Sequence, residues 1–237
     1  MAEGPTIAIM QPYLLPYLGY FQLMAAADVF VVFDNVAFIK RGYINRNSIL
    51  LGGEPHRFTL PVRKASQNRL IMDHEIQGEP TDILDLFSRA YEKAPHAQEG
   101  LALIREALAG PLPNIADFLT DSLSVLARAL DLKCEILRAS DLDVDLSLKA
   151  QDRIIALVRA LGGRSYVNAA GGRDLYDPQH FGEAGIDLHF IEYAALPYSQ
   201  YGYAGAFVPN LSIVDHLVNR PLDAIRNECF AYQLKSA

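Results

Sequence analysis

The opening of the chain constrains the fold most, because it carries the pattern of a strand, a loop, a helix and a second strand. Residues 6–10 form a short apolar run that ends at Gln11-Pro12, where proline cannot continue a strand ladder. Residues 19–27 carry apolar side chains at helical spacing. Residues 29–33 are all apolar, which is typical of a strand buried on both faces. Together they predict a βαβ unit with a parallel pair and a right-handed crossover.

Strand-like and helix-like segments alternate through the rest of the chain. We predict further strands at residues 57–62, 134–137, 165–168 and 186–191. We predict helices at residues 81–108 with a break at Pro95, at 115–130 capped by Asn114, at 147–161 capped by Ser147, and from 213 onward. This alternation predicts an α/β fold with a mostly parallel, Rossmann-like sheet and a helical middle segment. We expect one domain over residues 1–237, with residues 80–131 as a helical insertion or cap.

Composition excludes several classes of protein. The net charge of −7 argues against a nucleic-acid partner, because phosphate binding needs a basic surface. Cys134 and Cys229 are too few for a disulfide scaffold, and they show no metal-binding spacing with the histidines. The N-terminus lacks the pattern of a signal peptide, and no apolar run approaches the ~20 residues that span a bilayer. We therefore expect a cytoplasmic protein without membrane insertion.

The loop after the first strand is the first candidate site. Ligands of open parallel sheets bind at the carboxyl ends of strands. This loop runs from Gln11 through Tyr13 and Tyr17 to Gly19. Gly19 would let a ligand approach the helix N-terminus, which favours anions. The alternative is a rigid proline turn with tyrosines on the surface.

Asp34-Asn35 follows the all-apolar strand and is the second candidate. A carboxylate at this place could bind a hydroxyl, a metal or an amine. The alternative is a turn residue that only ends the strand.

The third candidate is the basic segment of residues 40–47, the strongest cationic cluster in an acidic chain. Its candidate ligands are Lys40, Arg41, Asn45, Arg46 and Asn47, and Lys64 could join them. Arginines with neighbouring amides suit a phosphate or a carboxylate. A solvated charged loop is the alternative.

The fourth candidate follows the strand predicted at residues 165–168. Asn168, Gly171 and Gly172 could cradle a substrate group, although turns use glycine in any case. Tyr198 and Gln200 lie farther on, in a stretch rich in tyrosine that suits sugar or nucleotide recognition. The same stretch would suit a dimer surface, so a homo-oligomer stays an alternative.

The chain shows no familiar catalytic motif. It has no nucleophile elbow, no Walker A loop and no G-x-G-x-x-G, and its six histidines form no recognisable pair. The sequence therefore names no cofactor.

The opening segments resemble the N-terminal signature of the WbqC-like protein family. That signature is a strand followed by QP, a P-aromatic-x-G-Y-F stretch, an apolar strand ending in aspartate, and a K-R…N-R-N segment. Here it reads IAIMQPYLLPYLGYFQLMAAADVFVVFDNVAFIKRGYINRNSIL. The resemblance continues through LPVRK, YEKAP, NAAGGRDLYD and LSIVDHL, so it covers nearly the whole chain. Tyr17 stands where the family commonly has tryptophan, and Asn35 departs from its D-D-V-Q-like stretch.

The resemblance implies a protein of bacterial surface-polysaccharide biosynthesis, as in O-antigen clusters. Members of the family are described as glycine or acyl transferases for amino sugars. A remoter resemblance is to the HxGH nucleotidylyltransferase superfamily, whose motif residues 17–20 would occupy. Gly19 is kept there, but Tyr17 and Tyr20 replace both histidines.

Three functions follow from these expectations. The first is an acyl or aminoacyl transferase acting on an amino sugar or a nucleotide-linked amino sugar, with a nucleotide sugar or an activated acyl donor as its small-molecule partner. Asp34 and Gln11 would be catalytic, and Arg41, Arg46 and Lys64 would hold the diphosphate. The alternatives are an ATP-using nucleotidylyltransferase or ligase, and a non-enzymatic scaffold that binds sugar nucleotides. We expect one pocket to be lined by Gln11, Asp34, Arg41, Asn45, Arg46 and Gly172.

Overall fold

The opening of the chain folds as the βαβ unit that its pattern indicates. In a computed structural model that describes residues 4–193 and 195–237, β1 (Thr6–Met10) runs parallel to β2 (Val29–Val32). The helix α1 (Leu18–Ala25) connects them. All four residues of β2 are buried, as expected for a strand covered on both faces.

The two strands belong to a six-stranded central sheet. Its other members are β5 (Glu135–Arg138), β6 (Ser165–Ala169), β7 (Asp187–Glu192) and β8 (Gln233–Ser236). The strand order is β5-β2-β1-β6-β7-β8, and only β8 runs antiparallel to its neighbour within the described residues. The prediction of a mostly parallel, Rossmann-like α/β sheet is confirmed.

Helices cover both faces of this sheet. They are α2 (Thr81–Tyr91), α3 (Ala97–Ala107), α4 (Ile115–Ala129), α5 (Ala150–Ala160), α6 (Pro178–Glu183), α7 (Ile213–Asn219) and α8 (Leu222–Cys229). Side chains of β1 alternate between two apolar cores: Ala8 packs into one, and Ile7 and Ile9 pack into the other. The first core includes residues of α1 and of the helical middle α2–α4, and the second includes α5 and α6.

Two helix starts illustrate how capping decides a boundary. The Asn114 side chain accepts hydrogen bonds from the Ala116 and Asp117 amides, so the predicted cap of α4 is confirmed. The prediction that Ser147 caps α5 is wrong, because that helix begins at Ala150. The Ser147 amide and hydroxyl both donate to Asp145 at 2.8 Å, which closes a separate turn before the helix.

A β-hairpin stands apart from the central sheet and corrects one strand prediction. Its strands are β3 (Arg46–Leu51) and β4 (Glu54–Thr59), which pair antiparallel. The second strand therefore begins three residues before the predicted 57–62, and the segment read as a basic loop already enters β3. Gly52 and Gly53 both have positive φ, as the two-residue turn of a hairpin requires.

The described residues hold neither a membrane-spanning helix nor a cluster of metal-binding side chains. No helix there has the length and apolar character needed to cross a membrane. No group of three or more histidine, cysteine, aspartate and glutamate side chains in residues 4–193 and 195–237 could hold a metal ion.

Candidate active site

A cleft lies at the carboxyl ends of β1 and β6, where the order of strands reverses. From β1 the chain adds β2 and then β5 on one side, and afterwards β6 and β7 on the other. Ligands of open α/β sheets bind at this switch point. The cleft, which we call the central cleft, has a volume of about 430 Å³. Seven of the predicted site residues line it: Gln11, Tyr13, Tyr17, Gly19, Asn168, Gly171 and Gly172.

The loop after β1 leaves one amide open in the central cleft. The Tyr20 hydroxyl donates to the Gln11 carbonyl at 2.8 Å and fixes the loop backbone. The half-buried Gln11 side chain makes no hydrogen bond to any residue that the structure describes. A Cβ on Gly19 would lie 2.5 Å from ring atoms of Tyr17 and Tyr193, so glycine is needed for these rings to close over the helix start.

The segment after β6 shapes the opposite wall. Asn168 accepts from the Ala169 amide at 2.8 Å and donates to the Tyr176 hydroxyl at 3.1 Å, so its side chain is held in place. A Cβ on Gly172 would lie 2.7 Å from the Asn168 amide nitrogen, whereas one on Gly171 would meet nothing within 4 Å. Gly172 therefore makes room for the asparagine that forms the wall.

The tyrosines of the central cleft keep their protons. Burial is the main cause that raises the pKa of Tyr13, Tyr17, Tyr20 and Tyr176. Their hydroxyls therefore stay neutral at physiological pH and can both donate and accept hydrogen bonds.

A second cleft, which we call the side cleft, adjoins the first and measures about 600 Å³. It lies between the segment after β2 and the start of α5. The two clefts share the lining residues Phe33, Ile154, Leu175 and Tyr176. Among the described residues that line either cleft, none is an aspartate, glutamate, histidine or cysteine. A further cleft of about 820 Å³ lies between α5 and α6, and no predicted site residue lines it.

Asp34 does not line either cleft. It is fully buried, and it accepts hydrogen bonds from Arg138 Nε at 2.8 Å and from the Ser140 amide and hydroxyl at 3.0 and 2.7 Å. Arg138 also pairs with Asp117 of α4. The Asp34 carboxylate, predicted to be catalytic, thus joins the end of β2 to the end of β5, and Arg138 extends the link to α4.

The predicted ligands of the basic segment lie outside both clefts, and Tyr43 of the same segment approaches the central cleft. Lys40, Arg41, Asn45, Arg46, Asn47 and Lys64 are all absent from the described residues that line the two clefts. The exposed ring of Tyr43 lies 5.6 Å from the ring of Tyr13, which does line the cleft. The expected single pocket therefore brings together Gln11 and Gly172, but not Asp34, Arg41, Asn45 and Arg46.

The asparagines of the segment hold the backbone. Asn47 donates to the carbonyls of Leu14 and Leu15, and Asn45 donates to the carbonyl of Leu60. Both amides thus fasten the hairpin, and Asn47 fastens it to the loop after β1.

The cations of the segment face solvent in large part. Lys40, Arg41 and Lys64 are exposed, and Arg46 donates to the Gly42 carbonyl at 2.8 Å. Partial burial, followed by the positive charges of Arg57 and Arg41, lowers the pKa of Arg46. These arginines therefore form a cationic surface beside the hairpin.

Tyr198 and Gln200 lie in a buried network at α7. The Asp215 carboxylate accepts from the Tyr198 hydroxyl at 2.6 Å and from the Gln200 amide at 3.0 Å. Its other oxygen accepts from the Tyr91 hydroxyl at 2.7 Å. The two residues predicted to bind substrate therefore satisfy a buried carboxylate, and they do not line the clefts.

The chain matches the model of the WbqC-like protein family over residues 11–227. The chain belongs to this family. A relative from Mycobacterium tuberculosis, named uncharacterized protein Rv1507c, is 30% identical over 221 residues, which cover 90% of this chain and 93% of the relative. No solved structure matches the chain.

The side cleft of this WbqC-like protein also holds Arg153, which the sequence did not single out, and Asn35, which follows Asp34 in the second candidate segment. Both are buried, and both line the side cleft. One signal was readable: Arg153 lies four residues before Leu157, which places a cation on the face of α5 that carries a fully buried leucine. The position of Asn35 at a strand end was readable, but strand ends commonly use asparagine, so a role in a cleft could not be told from a turn.

Proposed function

We propose that this WbqC-like protein transfers an acyl or aminoacyl group to an amino sugar, free or nucleotide-linked, in bacterial glycan biosynthesis. The observation that carries the proposal is the side-chain amide of Gln11, which no described residue engages and which lines the central cleft together with tyrosines that keep their protons. Neutral donors and acceptors between aromatic rings suit the hydroxyl and amide groups of a sugar.

The lining of the clefts favours one kind of transfer chemistry. No described lining residue can serve as a carboxylate, imidazole or thiol nucleophile. The acyl group would therefore arrive already activated, as a thioester or an adenylate. The amine nitrogen attacks the acyl carbon, a C–N bond forms, and the C–S or C–O bond breaks with its electron pair leaving on the departing group. The ammonium proton passes to that group or to water.

The contribution of the protein is to hold both reactants and to stabilise developing charge. Positioning two reactants together can supply an effective concentration of roughly 10⁵ M or more. The Gln11 amide N–H can donate to the carbonyl oxygen as negative charge develops on it. We place this contact on Gln11 and give Asp34 no step, because its oxygens already accept from Arg138 and Ser140.

A second candidate is a protein that binds sugar nucleotides without turnover. The binding site would be the same, and the described lining of the two clefts holds no aspartate, glutamate, histidine or cysteine to act as a general base. The two candidates share a ligand and differ only in whether a product forms.

The test combines binding with product detection. Thermal shift is measured with nucleotide amino sugars, coenzyme A thioesters and ATP, and N-acylated sugar is sought by mass spectrometry. A hundredfold excess over Kd adds about 2.7 kcal/mol of stability to the native state. We expect Gln11→Ala to lose the shift with a nucleotide amino sugar and to lose product. Gln98→Ala, on the exposed face of α3, is the matched control and should keep both.

Two results would count against transfer, and a third against the role of Gln11. Binding without product for any thioester or adenylate donor would favour the binding protein. A shift with ATP alone, together with pyrophosphate release, would favour adenylylation. Full activity in Gln11→Ala would remove the residue on which the proposal rests.

A further inference from the structure

Arg153 lies in the first turn of α5 and lines the side cleft. It is 9% exposed. Its Nε and Nη2 atoms are buried, and neither has a hydrogen-bond partner among the residues that the structure describes. No described carboxylate lies within 4.0 Å of its guanidinium. Burying a cation without a partner is costly, so the ligand-free protein leaves this group unsatisfied.

The groups around Arg153 do not supply the missing partner. The Phe33 ring lies 5.5 Å from its guanidinium carbon, which gives a cation–π contact but no hydrogen bond. Asp145 is exposed, and its oxygens accept from the Ser147 amide and hydroxyl. Those bonds are the main cause that lowers the pKa of Asp145, and Arg153 is the last. Asp145 is therefore hydrogen-bonded to Ser147 and does not pair with Arg153.

The free atoms of Arg153 form one recognition edge. Nε and Nη2 lie on the same side of the guanidinium, and their parallel N–H groups match two oxygens of a carboxylate or a phosphate.

Two neighbouring features add positive potential to the same end of the cleft. Ala150 and Gln151, at the N-terminus of the eleven-residue helix α5, line it, and within the described chain no side chain caps that helix. Lys149 lines it as well and is exposed. Amides at an uncapped helix start favour an anion.

Asn35 gives the site a second requirement. It is 3% exposed, it lines the side cleft, and its buried Oδ1 has no donor among the described residues. An acceptor in this position calls for a hydroxyl or N–H group on the ligand.

We infer that the side cleft binds the carboxylate or phosphate of a small ligand through Arg153 and the start of α5, while a neighbouring hydroxyl or N–H of that ligand donates to Asn35. The shared chemistry is an oxyanion next to a hydrogen-bond donor. The site does not depend on acyl transfer, because a protein that only binds would use it equally.

The first experiment follows Arg153 itself. The Nε–H signals of the ¹⁵N-labelled full chain are recorded by NMR while inorganic phosphate or acetate is added, with chloride at equal ionic strength as the control. We expect the Arg153 signal, assigned by its loss in Arg153→Lys, to move saturably with one or both anions and not with chloride. Phosphate alone would mark a phosphate ester as ligand, and acetate alone a carboxylate. No saturable movement with either anion overturns the inference.

Variants separate binding from a structural role. Arg153→Met should raise the anion Kd at least tenfold, while the ligand-free midpoint of unfolding stays the same or rises, because an unpaired buried charge is removed. Arg159→Met, on the exposed face of the same helix, should leave the Kd unchanged. Asn35→Ala should weaken glycolate, which carries a hydroxyl, more than acetate. An unchanged Kd in Arg153→Met would show that Arg153 is not the anion site.

Discussion

Two arginines at the same edge of the sheet differ in what they contact. Arg138 leaves 23% of its side chain exposed, yet it pairs with both Asp34 and Asp117. Arg153 is more deeply buried, and its Nε and Nη2 contact no acceptor in the described chain. The paired arginine joins strands to a helix, whereas the arginine without a partner in the described chain lines a cleft that can receive a ligand.

Amide and carboxylate side chains also divide into those that protein groups satisfy and those that line a cleft. Asn47 and Asp215 have their side chains satisfied by protein groups, and they hold the hairpin and α7 in place. Gln11 and Asn35 line the clefts with polar atoms that no described protein group satisfies. Substitutions of Asn47 and Asp215 should therefore lower stability, whereas substitutions of Gln11 and Asn35 should weaken ligand binding.

The largest expected effect is at Asp34. Asp34→Asn removes the buried one of the two carboxylates that pair with Arg138, so the free energy of unfolding should fall by roughly 3 kcal/mol. Urea denaturation measures it. Arg153→Met, which removes an unpaired cation, should cost nothing or stabilise the fold. A similar loss in both variants would abolish the distinction between the two arginines.

The next largest effect is a pH dependence of stability that arises at the buried His216 of α7. Burial, followed by the charge of Arg220, lowers the pKa of His216 to about 3. In the unfolded chain the histidine pKa is about 6.5, so below that pH the unfolded state binds a proton that the folded state does not. The stability that is fully present above pH 6.5 is therefore lost progressively as the pH falls toward 3. Between pH 7 and 5 the loss should be about 2 kcal/mol.

Urea denaturation at several pH values tests this dependence against His216→Gln, which has no proton to bind. The variant should lack this part of the slope. Identical slopes in the two proteins would mean that His216 is not the titrating group.

A smaller effect is expected at Tyr91. Its hydroxyl donates to Asp215 and accepts from the Leu50 amide, so Tyr91→Phe leaves both groups short of a partner. The free energy of unfolding should fall by roughly 1–2 kcal/mol. Tyr43→Phe, at an exposed ring, should change it by less than ~0.5 kcal/mol. Equal effects at the two tyrosines would argue against a closed network at α7.

The smallest effect compares two adjacent glycines in the wall of the central cleft. Gly172→Ala places a Cβ against Asn168 and should cost about 1 kcal/mol, with weaker ligand binding. Gly171→Ala has free space and should be neutral in both respects. Thermal unfolding and ligand titration of the pair measure it. Equal behaviour would show that Asn168 does not form the wall as described.

The sequence predicted the parts of the fold that depend on local pattern. The alternation of apolar strands and helices gave the α/β class, and the prolines and glycine after β1 gave the loop that lines the central cleft. Helix boundaries were harder to predict. A serine such as Ser147 can cap a helix or close a turn, and here it closes a turn.

The roles of individual polar residues could not be predicted, because their partners are distant in sequence. Asp34 and Arg138 are 104 residues apart, and Tyr91 and Asp215 are 124 apart. A strand-end aspartate with a distant arginine looks the same in the sequence as one that faces a substrate. The fold is needed to tell which polar groups are already satisfied.

Binding in the central cleft is tested most directly by the thermal midpoint of Gln11→Ala and Asp34→Asn, each with and without a nucleotide amino sugar. We expect Gln11→Ala to keep the ligand-free midpoint and lose the ligand-induced rise, and Asp34→Asn to lower the ligand-free midpoint and keep the rise. The reverse pattern would contradict this expectation, and would place the ligand at the buried carboxylate instead of the cleft.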